Sequence, residues 1–205
     1  MLFKSHNNIK ATSVEDSREK DQKTLFSMIR RRAENLFASG QMMCSEAVMA
    51  VLNQGLGGGL PPEMAFKLSS SQSNGLGGRG CICGALNGGI LALGLFFGRE
   101  RPGFGNGRQV RALAGQLHDQ FKEKFGSTCC RVLTRKLEDD TGRQFYHCQG
   151  MTGSGAELAA RIILENRSEL YQRVDYAYLS KHESDLQAKL KIATGFFRSR
   201  RRDDP

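Results

Sequence analysis

The sequence predicts an all-α, single-domain helical bundle. Apolar residues recur at i, i+3, i+4 and i+7 in several segments. No segment alternates apolar and polar residues convincingly enough to read as a strand, and no internal repeat is present. At 205 residues the chain has the length for one domain with a full core and some tail on either side.

Residues 1–22 are polar with few apolar anchors and are expected to be disordered or loosely attached. A helical cysteine-containing domain is expected over 23–166, and a helical extension with a basic tail over 167–205. From Leu25 onward, Leu25, Met28, Ile29, Leu36 and Phe37 fall on or near one helical face, and Gly40 is the stop signal. A second helix is expected to start near Cys44-Ser45-Glu46 and to end in the Gly55–Gly59 stretch. Pro61 and Pro62 open a short third helix carrying Met64, Ala65 and Leu68. The Ser/Gly-rich segment Ser69–Gly80 reads as a long loop, a kind that is usually functional or disordered.

Cys83 to Phe97 is the most apolar element and reads as the central helix. Gly84, Gly88 and Ala92 recur every four residues, with Ala85 and Gly89 beside them, so close packing against another helix accounts for these small residues. Asn106 is a candidate N-cap for the next helix, whose stripe is Val110, Leu113, Ala114, Leu117, Phe121 and Phe125, with Gly126 ending it. A turn around Arg131–Leu137 is followed by a polar link. A helix over Glu157–Glu165 then points Leu158, Ile162 and Ile163 inward, and helix is expected to continue to Phe197.

The net charge is +9, spread over Arg30-Arg31-Arg32, the Arg108–Lys124 helix and the Arg198–Arg202 tail. No aromatic-interleaved basic motif accompanies it, so the charge points to solubility or an acidic partner rather than to nucleic acid. The longest apolar run, Ile90–Phe97, is too short to span a bilayer, so no membrane insertion is expected. The polar N-terminus lacks a signal-peptide core, which makes a reducing cytoplasm the expected compartment.

Six cysteines, Cys44, Cys81, Cys83, Cys129, Cys130 and Cys148, are the feature most suggestive of chemistry. In a reducing compartment stapling disulfides are not expected, and free cysteines are often just small buried hydrophobes. Placement argues otherwise. Several lie at expected helix starts or in polar segments, where helix N-terminal donors favour the thiolate that attacks disulfides or binds metal. Cys83 begins the apolar helix with Arg79 upstream, Cys44 begins its own helix, and Cys130 precedes Arg131. No Cys-x-x-Cys pair exists, which removes the zinc-knuckle, thioredoxin-type and haem-attachment motifs. Cys129 and Cys130 are adjacent, with Cα atoms about 3.8 Å apart, too close for an unstrained disulfide. Of the histidines, His147 adjoins Cys148 and reads as solvated in the polar link, and His118 sits on the flank of its helix.

These residues resemble a known family. Cys83-Gly84-Ala85-Leu86-Asn87-Gly88 matches the Cys-Gly-Ala-x-x-Gly motif of the C_GCAxxG_C_C family of redox-active proteins with four hallmark cysteines. Cys44-Ser45-Glu46-Ala47-Val48 resembles the segment of the first cysteine, and Gly126-Ser127-Thr128-Cys129-Cys130-Arg131 that of the third, Cys130. Cys148 resembles the fourth. The likeness covers about 25–165; Cys81, Cys129 and the tails depart from it.

The domain is also similar to part of split-Soret cytochromes. That implies an iron–sulfur cluster as cofactor, whereas their haem-binding motif is absent here. With the resemblance added, the leading expectation is a redox or electron-transfer protein, an oxidoreductase if it is an enzyme, working with a redox partner protein. In it Cys44, Cys83, Cys130 and Cys148 converge, either as metal ligands to a cluster or as a dithiol–disulfide couple. In the couple Cys83 is the low-pKa attacking thiol, with Cys44 or Cys130 resolving. The competing expectations are a structural zinc module and an interaction protein with buried cysteines; a homodimer is compatible with the small-residue helix.

Overall fold

The computed structural model describes residues 6–103, 107–137 and 139–184, with side chains from residue 20 onward. Nine α-helices are found among the described residues: α1 His6–Ala38, α2 Cys44–Gly55, α3 Pro62–Ser70, α4 Ser73–Leu76, α5 Gly84–Phe97, α6 Arg108–Phe125, α7 Cys130–Thr134, α8 Thr141–Asn166 and α9 Tyr176–Leu179. No strand forms among these residues, and the all-α prediction holds; Ile82 and Cys129 make one isolated antiparallel bridge.

Four helices build the core. α1 packs along α8, α2 along α5, and α5 crosses α8, while α6 closes the outer side of α5 and α8. The inward faces follow the apolar periodicity: Leu25, Ile29, Leu36 and Phe37 of α1, Val48, Val51 and Leu52 of α2, Leu113, Leu117 and Phe121 of α6. Gly40 ends α1 as expected, with φ near +72° and its N–H donated to the Phe37 carbonyl.

Helix α5 lies at the centre because small residues let three neighbours approach its backbone. A Cβ on Gly88 would sit 2.7 Å from the Ser45 carbonyl of α2. One on Gly89 would sit 2.8 Å from Leu117 of α6 and 3.2 Å from Ala159 of α8. Across the same contact, a Cβ on Gly155 of α8 would meet the Ala85 carbonyl at 2.9 Å. Glycine therefore works here through packing, as the spacing suggested.

Several boundaries differ from expectation. α1 starts at His6, well before Leu25, and the stretch just ahead of Leu25, from Glu15 to Lys23, is rich in the good helix formers Glu, Lys, Arg and Gln. The polar link before Glu157 is absent: α8 is one helix of 26 residues, capped by the Asp140 carboxylate accepting from Arg143 N–H. Its glycines and serine (Gly150, Gly153, Ser154, Gly155) weaken local helix preference, and packing against α1 and α5 overrides that. Asn106 lies outside the described residues; α6 begins at Arg108 with Gly107 before it. The third helix buries Ala65 but leaves Met64 42% and Leu68 50% exposed.

Beyond Asn166 the expected continuous helix is not formed over the described residues. Arg167 leaves helical geometry with φ −140°, a 3-10 turn spans Ser168–Arg173, and α9 is a single short helix. This segment folds back: Asp175 N–H donates to the Gly55 carbonyl and Leu179 packs on Gly55. Arg32, one of the basic residues whose charge pointed to solubility or an acidic partner, is only 4% exposed and clamps the return. Its guanidinium donates to the Lys181 carbonyl at 3.1 Å and pairs with Glu183 at 3.1 Å, while Glu183 N–H donates to Asn35 at 2.7 Å. The Arg198–Arg202 tail lies outside the described residues.

Candidate functional site

The chain enters α5 through a short extended stretch, residues 81–83, which pairs with residues 128–130 at the entrance of α7. Cys83 N–H donates to the Thr128 carbonyl and Cys130 N–H to the Cys81 carbonyl, both at 2.7 Å. This pairing seats Cys83 at the start of α5, as the helix-start reading anticipated, and Cys130 at the start of α7. Cys44 is the first residue of α2, held there because Glu46 turns back to accept Met43 N–H at 2.7 Å. Cys148 is placed differently from expectation. It sits inside α8, one turn ahead of Thr152, whose hydroxyl donates to its carbonyl at 2.8 Å.

These four thiols are neighbours. Ionisation of Cys83 is opposed by Cys44 and Cys130, that of Cys130 by Cys44, and that of Cys148 by Cys44, Cys83 and Cys130. Gly84 makes the meeting of α2 and α5 possible, because any side-chain carbon there would collide with the Cys44 sulfur. Four elements distant in sequence thus bring Cys44, Cys83, Cys130 and Cys148 to one region. All six cysteines are free thiols. Among the described residues, no three His, Cys, Asp or Glu side chains are gathered closely enough to hold one metal ion.

The electrostatics of the site reverse the expected low thiol pKa. Burial is the largest influence on each of the four, and it favours the neutral thiol. Cys83, 4% exposed, is pushed up to about 12 by burial and then by Cys44. Cys130 is pushed to about 11, again by burial first, then by Cys44 and Cys129. Cys44 and Cys148 are raised for the same first reason. The helix-start donors do exist: the N–H groups of Ala85 and Leu86 point at the Cys83 sulfur, and those of Asn74 and Ser45 at the Cys44 sulfur. They favour the thiolate but do not outweigh desolvation. Arg131, adjacent to Cys130, spends its guanidinium on the Arg79 carbonyl at 2.9 Å.

Residues that the sequence did not single out complete the surroundings. The Ser69–Gly80 loop folds over the cysteines instead of standing free. Ser45 donates its hydroxyl proton to the Ser69 carbonyl at 2.7 Å and accepts from the Ser73 hydroxyl at 2.6 Å, anchoring the loop on α2. Asn74 and Leu76 adopt left-handed φ of 55° and 61°, and Gly75 has its Cα flanked by Gly80, Cys81 and Cys130 so closely that a Cβ would meet all three within 2.8 Å. Nothing local marks Ser73 or Asn74, whose role depends on contact with a helix start about 30 residues earlier. Cys129 and Cys81 lie at the rim. Cys129 donates its thiol to the Gly80 carbonyl at 3.1 Å, and Cys81 is exposed. His147 is a half-buried residue of α8, not a residue of a polar link, and His118 stays on the exposed flank of α6 beside Asp119.

A family described as "putative redox-active protein (C_GCAxxG_C_C)" matches residues 42–162, more than half of the chain and a span that contains all six cysteines. No curated protein and no solved structure gives a significant match.

Proposed function

We propose that this chain, which belongs to the C_GCAxxG_C_C family, is a redox protein whose chemistry resides on Cys44, Cys83, Cys130 and Cys148, acting together as ligands of an iron–sulfur cluster. The observation that carries the reading is that the starts of α2, α5 and α7 and the middle of α8 bring one thiol each to the same region, with the Cys44 sulfur seated against Gly84 beside Cys83.

The donor set suits such a cluster chemically. Four cysteine thiolates are its usual ligands, and a neutral thiol in a buried site ionises when metal supplies the compensating charge. The N–H groups aimed at Cys83 and Cys44 would stabilise the thiolates once formed. When bound, the cluster would supply one-electron transfer. Raised thiol pKa values count against Cys83 as a ready attacking thiolate at neutral pH.

The test is anaerobic purification, with reconstitution by iron and sulfide, followed by visible absorption and iron, zinc and acid-labile sulfide assays. Iron with sulfide and broad visible absorption, lost on Cys83→Ser, is the expected result. A colourless protein that takes up neither iron nor sulfide after reconstitution overturns the cluster. Stoichiometric zinc in that protein would favour the structural zinc module.

A further inference from the structure

Cys81 is outside the four-thiol set, yet the backbone holds it against one of its members. In the antiparallel bridge Ile82 stands opposite Cys129. One residue further along, Cys81 stands opposite Cys130, and Cys130 N–H donates to the Cys81 carbonyl at 2.7 Å. Facing residues of such a pair have Cα atoms about 5.5 Å apart, inside the roughly 4.4–6.8 Å that a disulfide spans. Two further contacts tie the segments together where the bridge ends and α7 begins. Arg131 N–H donates to the Gly80 carbonyl at 3.0 Å, and Cys81 N–H to the Gly75 carbonyl at 3.2 Å. The Gly75 turn lies between them, where a single Cβ position would be 2.8 Å from both Cys130 Cβ and Cys81 N. Cys81 is exposed, Cys130 is half-buried, and both are free thiols. Cys129, although adjacent to Cys130, faces Ile82 and turns its thiol to the Gly80 carbonyl.

We propose that Cys81 is a redox-active thiol in its own right, which reacts with low-molecular-weight disulfides and then closes a disulfide to Cys130 across the bridge. In the first step the Cys81 thiolate attacks a small disulfide RSSR, forming Cys81–S–S–R and releasing RS⁻, which takes up a proton. In the second, the Cys130 sulfur, after losing its proton to solvent, attacks the Cys81 sulfur and displaces the second RS⁻. The sum oxidises two protein thiols to one disulfide and reduces RSSR to two RSH. The disulfide forms in the metal-free chain, where the Cys130 thiol is free to react. Its consequence, withdrawal of Cys130 from the cluster site, rests on the function proposed above.

The experiment treats the full chain, reduced and stripped of metal by a chelator, with glutathione disulfide, then alkylates under denaturing conditions and maps tryptic fragments. Two of the six thiols are expected to disappear, with fragment 80–99 joined to fragment 125–131. The link should persist in Cys129→Ser and vanish in Cys81→Ser. No link in the parent chain, a link that survives Cys81→Ser, or one lost in Cys129→Ser overturns the proposal. Iron uptake by Cys81→Ser on anaerobic reconstitution should equal that of the parent chain. If neither takes up iron, the cluster reading fails while the disulfide result stands; if only the variant fails, Cys81 belongs to the cluster site and the separate role given to it here is overturned.

Discussion

Replacing Gly88 by alanine tests whether the glycines of the central helix serve the approach of α2. The new Cβ would stand 2.7 Å from the Ser45 carbonyl oxygen, 3.0 Å from Val48 Cβ and 3.1 Å from Ser45 Cα. Carbon contacts normally settle at about 3.5–4.0 Å. Two of the three obstacles are backbone atoms of a buried helix, so no side chain can simply swing away. Overpacking of this kind costs about 1–3 kcal/mol, and rigid neighbours put it in the upper part of that range. Better helix propensity returns about 1 kcal/mol, leaving a net loss of about 1–2 kcal/mol, or roughly 2–8 °C in Tm for a chain of this length.

Gly94 is the internal control. It lies in the same helix, is exposed, and has nothing within 4 Å of its would-be Cβ. Gly94→Ala should stabilise by about 0.5–1 kcal/mol, because only the propensity gain remains. Denaturant unfolding followed by circular dichroism reads both variants. Gly88→Ala as stable as the parent chain, or Gly94→Ala as damaging as Gly88→Ala, would refute the assignment of close α2–α5 packing to Gly88.

Two further outcomes follow from the electrostatics. In the metal-free protein Cys83 ionises at about 12 against an ordinary 9.0. Its contribution to stability is therefore complete below pH 9 and declines as pH rises from there toward 12, since the unfolded chain loses the proton first; a Cys83→Ala variant whose stability falls as steeply over that range would contradict this. Arg32→Met removes the buried guanidinium that ties Lys181 and Glu183 to α1. Loss of bonds to a charged group, discounted for the partial exposure of Glu183, is worth about 1–2 kcal/mol, so hydrogen exchange at Glu183 N–H should accelerate roughly tenfold, and unchanged exchange would show that the clamp contributes nothing.

The sequence by itself determined the helical class, most of the inward faces and the helix-start positions of Cys44 and Cys83. Those features are written in local periodicity, in Gly and Pro punctuation and in a short motif, all within a few turns of chain. It also separated Cys81 and Cys129 from the other four through their departure from the family pattern. Only the tertiary structure decided that Gly150–Gly155 is helical, because contact with α1 and α5 overrides the weak local preference of that segment. It alone turned the chain back after Asn166, where buried Arg32 and Gly55 receive residues more than a hundred positions away. The state of the thiols was likewise beyond local reading. A helix start supplies donors that favour the thiolate, and a sequence shows the helix start. Desolvation favours the thiol, and it arises from neighbours contributed by α2, α5, α7 and α8 together. Proximity of Cys81 to Cys130 has the same origin: a pairing between segments about 50 residues apart, set by backbone hydrogen bonds that leave no local mark in the sequence.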